Sequence, residues 1–274
     1  MTRSTKSSRA YLYVVFTFLY LPIFVLIFFS FNKSKSRNLF TGFTLDWYRQ
    51  LFQNEMILRA LVVTLAVAAI ASVCATILGT AAAIGIQGMK RWSRFTVMNF
   101  TYIPVINPEV VTGVSMLLLF TSLRYFLNFN MGFGTLLIAH ITFNVPYVIL
   151  SVNPKFRQLD NSLYEAALDL GCNPTQAFFK VILPQIMPGI TTGFLMALTY
   201  SIDDFVISYF TSGTSQTLSI AVYSMTRRKV SPEINALSTL IFAVVLIILL
   251  IMNFKDIRSE NSKGGLKKRG AERI

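Results

Sequence analysis

The sequence predicts an all-α, polytopic membrane protein with six transmembrane helices, and two observations carry that prediction. Of 274 residues, 54% are hydrophobic and only 14% charged, 24 of them are phenylalanine, and the mean hydropathy is +0.57. The main solvent of such a chain is lipid. In addition, windows of the roughly 20 apolar residues needed to cross a hydrocarbon core of about 30 Å can be read off directly.

The first window, residues 10–31, reads AYLYVVFTFLYLPIFVLIFFSF and follows Arg3, Lys6 and Arg9. Its apolar run is longer than that of a signal peptide and no small-x-small cleavage site follows, so it reads as an uncleaved anchor. The second, 60–86, is rich in the small residues that let membrane helices approach closely. The third, 95–120, is interrupted by Pro104 and by Asn107-Pro108-Glu109. The fourth covers 133–152, the fifth 186–210 and the sixth 234–254, ahead of a basic tail at 255–274.

Six spans put both termini on one side. Lysine and arginine are in excess in the segments that face the cytoplasm if the N-terminus does, which favours cytoplasmic termini. Arg227-Arg228-Lys229 fits that orientation worst. The net charge of +13 therefore reads as topology and contact with anionic headgroups, and without a basic stripe on a soluble domain it does not point to nucleic acid. Cys74, in the second span, and Cys172, in a cytoplasmic loop, lie in different environments and are not expected to pair. His140 is the only histidine; it reads as a hydrogen-bonded interior residue, and no metal site is expected.

The loop between spans four and five, residues 160–184, is more specific. Ser162 with Glu165 has the spacing of a capping box, which starts a short helix near Leu163 that Gly171 terminates. Asn173-Pro174 opens a second helix ending near Leu183-Pro184. Glu165-Ala166-Ala167, Gly171 and then Val181-x-Leu183-Pro184 resemble the EAA loop of ABC importer permeases, with valine where the family usually has isoleucine. The resemblance implies a type I (MetI-like) permease fold and a coupling surface at Glu165, Ala166, Ala167, Asp169, Gly171, Leu183 and Pro184, docked on an ATPase subunit. No GxxxxGK[ST] phosphate loop occurs in the chain. Neither a cofactor nor an enzymatic activity is expected on it, ATP being bound by a partner.

"TYSIDDFVISYF", residues 199–210, carries two adjacent carboxylates inside the fifth apolar window. A charge at that depth is costly and faces a water-filled cavity or a partner. Asp203 lies roughly 21 Å from the cytoplasmic start of its span, and Glu109 about as far along the third. Asp203 and Asp204 point about 100° apart on a regular helix, so they cannot both line one cavity unless the helix unwinds. Tyr200 shares a face with Asp203, and Ser201 and Ser208 share one with Asp204, with Tyr209 and Tyr223 close in sequence. Spaced acids among aromatic rings suit a long polycation, the acids pairing with ammonium groups and the rings covering the methylenes. The acids could equally hold helix packing or pair with Arg227 or Lys229. Trp47, in the first external loop, marks either a docking or access point or a plain amphipathic helix, WYRQLF.

Across nearly the whole chain, GFTxxWY (42–48), HITF (140–143), SIDDFVIS (201–208) and SPEINAL (231–237) are similar to the spermidine/putrescine importer permeases. That resemblance implies a multi-pass subunit of the cytoplasmic membrane working with a second permease half, an ATPase dimer and an extracytoplasmic polyamine-binding protein. Two alternatives stay open. Related permeases carry ferric iron, phosphonates or oxyanions, and an intramembrane aspartyl protease would also use two carboxylates, although it needs them in YD and GxGD contexts on separate helices.

Overall fold

Helix ends in this chain are set where the backbone can be satisfied without water, and prolines and capping side chains decide where that is. The computed structural model describes residues 6–34, 39–228, 232–243 and 246–247. They divide into two units, one made of the chain up to Glu55 and from Ser224 onward, the other Met56–Tyr223.

In the first unit, α1 (Lys6–Ser30) is a single apolar helix. The loop that follows is folded around Asn32. Its Nδ2 donates to the Leu39 carbonyl at 2.8 Å, its Oδ1 accepts from the backbone of Ser34 and Thr41, and its own carbonyl accepts from Trp47 Nε1 at 2.7 Å. Ser30 Oγ and the Tyr48 hydroxyl share a further hydrogen bond of 2.7 Å. The short α2 (Asp46–Gln53) buries Trp47 and Leu51. GFTxxWY is thus the sequence of a folded loop. Residues 232–243 are helical; Lys229, residues 244–245 and 248–254 of the expected sixth span at 234–254, and the tail at 255–274 lie outside the described residues.

The second unit holds α3 (Glu55–Gln87), α4 (Arg91–Ile106), α5 (Glu109–Leu127), α6 (Phe133–Arg157), α7 (Asn161–Asp169), α8 (Pro174–Ala177), α9 (Leu183–Asp203), α10 (Val206–Thr211) and the start of α11 (Leu218–Arg228). Among the described residues of the whole chain, five helices are long and apolar enough to cross a membrane: Tyr11–Ser30, Glu55–Gln87, Glu109–Leu127, Phe133–Arg157 and Pro174–Asp203.

The third apolar stretch, 95–120, is interrupted at Asn107-Pro108 as expected, where Pro108 forces Asn107 into an extended conformation (φ −71°, ψ 138°) that ends α4, but not at Pro104, which lies inside α4. Only α5 is long enough to span. The fifth span does not begin at residue 186. The chain is helical from Pro174 to Asp203, through a π-helical turn at Phe178–Ile182 in which the Leu183 N–H donates to the Phe178 carbonyl. That wider turn lets the helix continue past Pro184, which has no N–H to offer. At its far end the helix stops at Asp203 rather than running on to 210.

Helix α6 is the centre of this unit, with half of its apolar window buried. It packs most closely on α9, and the contact is made by glycine. A Cβ at Gly79 of α3 would lie 2.6 Å from Val148 Cβ, and one at Gly193 of α9 would lie 3.2 Å from Val148 Cα. Val148 is fully buried between them, in a cluster with Ala75, Ala83, Val152, Ile186 and Ala197. Small residues give membrane helices the close approach that dispersion attraction needs. Because a Cβ cannot rotate away, Gly79→Ala must separate α3 from α6. We expect Gly79→Ala to cost about 1–3 kcal/mol, read as a lowered heat-inactivation midpoint of the purified complex, whereas Ala at Gly85, with open space around it, leaves the midpoint unchanged.

Candidate substrate pathway and loop surface

Both helix interruptions open onto one cavity of about 380 Å³, whose lining includes Glu109 and Thr112 of α5, Tyr147 of α6, Tyr200 and Asp203 of α9, and Asp204. The acids meet there because the chain leaves the helix where the sequence made unwinding a condition. Asp203 is the last residue of α9, Asp204 is extended (φ −61°, ψ 125°) and α10 begins at Val206.

The two neighbours have different roles. Asp203 and Glu109 are exposed. The Asp204 side chain is only 5% exposed. Its carboxylate accepts the backbone N–H of Ile207 at 3.2 Å and of Ser208 at 2.7 Å, two of the donors that the first turn of α10 leaves without a helical partner. Asp204 therefore lines the cavity but caps a helix.

Of the other expected pathway residues, Tyr200 is at the cavity, 41% exposed. Its ring lies 4.6 Å from that of Tyr147. Ser201 is not there: it is buried, with Oγ 2.6 Å from His140 Nδ1, on the opposite side of α9. Tyr209 is absent from the lining and belongs to an aromatic group with Phe205 and Tyr223. Trp47 belongs to the other unit and is buried, which does not suit an exposed docking residue. Tyr147 escaped sequence reading because nothing in an apolar window separates a cavity-facing tyrosine from a packed one; its place directly after Pro146 is the only local signal.

In the loop, α7 is not capped by Ser162 and Glu165 as the spacing suggested. Asp160 is the N-cap, its Oδ1 accepting from Ser162 N at 3.0 Å. Hydrogen bonding from Ser162 holds the Asp160 carboxyl below the usual carboxylate range. The helix ends in a Schellman motif, with Gly171 at φ +85° and the N–H groups of Gly171 and Cys172 donating to the carbonyls of Leu168 and Ala167. Asn173 then caps α8, with Gln176 bonding back to it. Ala167 and Ala177 are buried. Glu165, Ala166 and Asp169 are exposed. Leu170, 87% exposed on a loop between spans, is an apolar side chain left largely uncovered by the described residues. Leu183 packs on the α6–α9 cluster, while Pro184 is exposed.

Apolar helices long enough to cross a membrane, a cavity between two broken helices and a helical loop between spans together have the architecture of a membrane permease. The comparisons with known proteins are specific. Residues 75–257 match the family described as binding-protein-dependent transport system inner membrane component, and the chain belongs to that family. It is 40% identical over 255 residues to the putrescine transport system permease protein PotI of Escherichia coli, covering 90% of each chain. It is 34% identical over 244 residues to the spermidine/putrescine transport system permease protein PotC of Haemophilus influenzae, covering 89% of this chain and 93% of that one. In fold it is similar to a subunit in the crystal structure of a bacterial ABC transporter that imports the acidic polysaccharide alginate, with TM-score 0.67 at 18% identity over 89% of this chain and 92% of that chain.

Because Asp204 is a cap, its variants should sort by acceptor capacity. Asp204→Asn keeps one acceptor oxygen and Asp204→Ala keeps none. Thermal inactivation of the purified complex should rank wild type above Asn and Asn above Ala, the last costing about 1–2 kcal/mol. Asp203→Ala should leave the midpoint in place.

Proposed function

We propose that this chain is a permease subunit of an ATP-driven importer of polyamines, moving spermidine or putrescine across the cytoplasmic membrane by alternating access. The observation that carries the reading is the pairing of two open carboxylates, Glu109 and Asp203, with the Tyr147 and Tyr200 rings around one cavity whose lining, among the described residues, holds no lysine or arginine. Ammonium groups spaced along an alkyl chain meet charge and π-surface in such a place. An oxyanion would meet repulsion. The names of the relatives, putrescine for one and spermidine with putrescine for the other, support the same cargo.

Partners follow from the family. A second, PotB-like permease completes the pathway, a PotA-like ATPase dimer supplies the energy and a PotD-like extracytoplasmic protein delivers substrate. The ATPase contact is assigned to residues 160–184, with Glu165, Ala166, Asp169 and Leu170 presented outward and Gly171 shaping the turn behind them. The distribution of basic residues favours cytoplasmic N- and C-termini.

Uptake of radiolabelled spermidine and putrescine by cells lacking other polyamine importers tests the reading, with all subunits present and permease abundance matched. Asp203→Asn and Glu109→Gln should each lower uptake efficiency about tenfold or more. Unchanged uptake in the double variant would remove the acids from the pathway. Separately, Leu170→Glu should uncouple substrate from ATP hydrolysis: substrate-stimulated ATPase activity of the reconstituted complex is lost while membrane abundance holds. Full stimulation in that variant would move the ATPase contact elsewhere.

A further inference from the structure

One buried polar group has no part in the pathway just described. His140, on α6, is fully buried, and its ring nitrogens reach both sides of the helix interruption: Nδ1 lies 2.6 Å from Ser201 Oγ on α9, and Nε2 lies 3.0 Å from Ser208 Oγ on α10. Ser201 and Ser208 are themselves buried. Asp204 Oδ2 is 3.6 Å from Nε2, beyond hydrogen-bond length, and accepts the Ser208 amide, while Oδ1 accepts that of Ile207. The Phe143 ring packs edge-on at 5.3 Å.

A neutral imidazole has one donor and one acceptor, and a serine hydroxyl can be either. The Ser208 hydroxyl also bonds the Asp204 carboxylate, so it accepts from Nε2–H while Nδ1 accepts from Ser201, and the circuit runs from Ser201 through His140 and Ser208 to Asp204. An apolar side chain at this position takes the imidazole partner from both buried hydroxyls, leaving Ser208 only its bond to Asp204. The ring also ties the two sides of the interruption to α6, the most buried helix of the unit. The bend at Asp204-Phe205 cannot straighten while both bonds are in place.

We propose that His140 is a positioning residue for cation recognition, bridging Ser201 and Ser208 so that the interruption at Asp204-Phe205 stays open and Asp203 faces the cavity. This rests on the polyamine reading of that cavity. It assigns HITF and the two serines of SIDDFVIS one shared task, which is to fix where an acid five or fewer residues away points.

The test uses the complete transporter at matched membrane abundance. Two readouts are compared for His140→Leu, His140→Gln and Ser201→Ala with Ser208→Ala. The first is KM against maximal rate for polyamine uptake. The second is independent of substrate: the labelling rate by a water-soluble cationic thiosulfonate of the thiol introduced by Asp203→Cys, in a chain also carrying Cys74→Ala and Cys172→Ala. His140→Leu should raise KM about fivefold or more with a smaller change in maximal rate, and slow labelling by a similar factor. His140→Gln, which keeps a donor and an acceptor, should recover part of both. If His140→Leu does not reach the membrane, the double serine variant, with almost no change in volume, should reproduce both shifts. Labelling unchanged, or a lower maximal rate with KM unchanged, overturns the proposal and leaves His140 a packing residue. Slowed labelling in a background where Asp203→Asn transports normally keeps the bridge and overturns the polyamine assignment of the cavity instead.

Discussion

Everything at the candidate site depends on how the chain satisfies its backbone where α9 stops. An interrupted helix leaves amide donors and carbonyl acceptors without partners, and each one buried unpaired costs about 1–3 kcal/mol. Non-helical backbone at membrane depth survives only where it is covered by protein or lines a wet cavity. Here the answer is local and made by side chains. Asp204 takes the Ile207 and Ser208 amides, and its own N–H closes α9 on the Tyr200 carbonyl at 3.0 Å.

The opposite wall is built on different chemistry. Pro108 ends α4 by sterics, and the carbonyl of Pro108 starts α5 by accepting from Val111 and Thr112. One interruption is imposed by the sterics of a proline, the other by an added acceptor. Both are held against α6, whose neighbours come close because Gly79 and Gly193 lack side chains beside Val148. At α5 the same device recurs, with the Phe210 ring of α10 lying where a Cβ of Gly113 would be, 2.7 Å away. The cavity is thus the space left between two fixed breaks in a tightly packed frame.

Much of this was legible in the sequence because lipid is an unforgiving solvent. Twenty apolar residues in a row have few other fates, and Asn173-Pro174 and Gly171 announce helix ends through a missing donor and a left-handed φ that depend on nothing distant. What was not legible required knowing a competitor. Ser162 with Glu165 fits a capping box, but Asp160 two residues earlier is the stronger acceptor and takes the Ser162 amide. Pro184 looks like the end of a helix until a π turn absorbs it. Ser201 sits beside the acids in sequence, yet its face of α9 belongs to His140. The tryptophan of GFTxxWY resembles an exposed recognition residue, and the Asn32 carbonyl holds it inside instead.

The adjacency of Asp203 and Asp204 becomes intelligible once the two are given separate tasks. A single acid at the break could cap α10 or face the cavity, not both, since a carboxylate occupied by two amides has little left for a ligand. Two acids in sequence solve this, the second anchoring the bend that aims the first. The same bend ends a continuous helical path that starts at Pro174 in the loop, about 45 Å away at the usual rise. In the proposed importer, force applied to α8 reaches Asp203 along that one helical path, whose π turn at Phe178–Ile182 lies at the loop end. Displacement along that path ends at the bend that Asp204 anchors, so the residue it would move first is Asp203, the last of the helix.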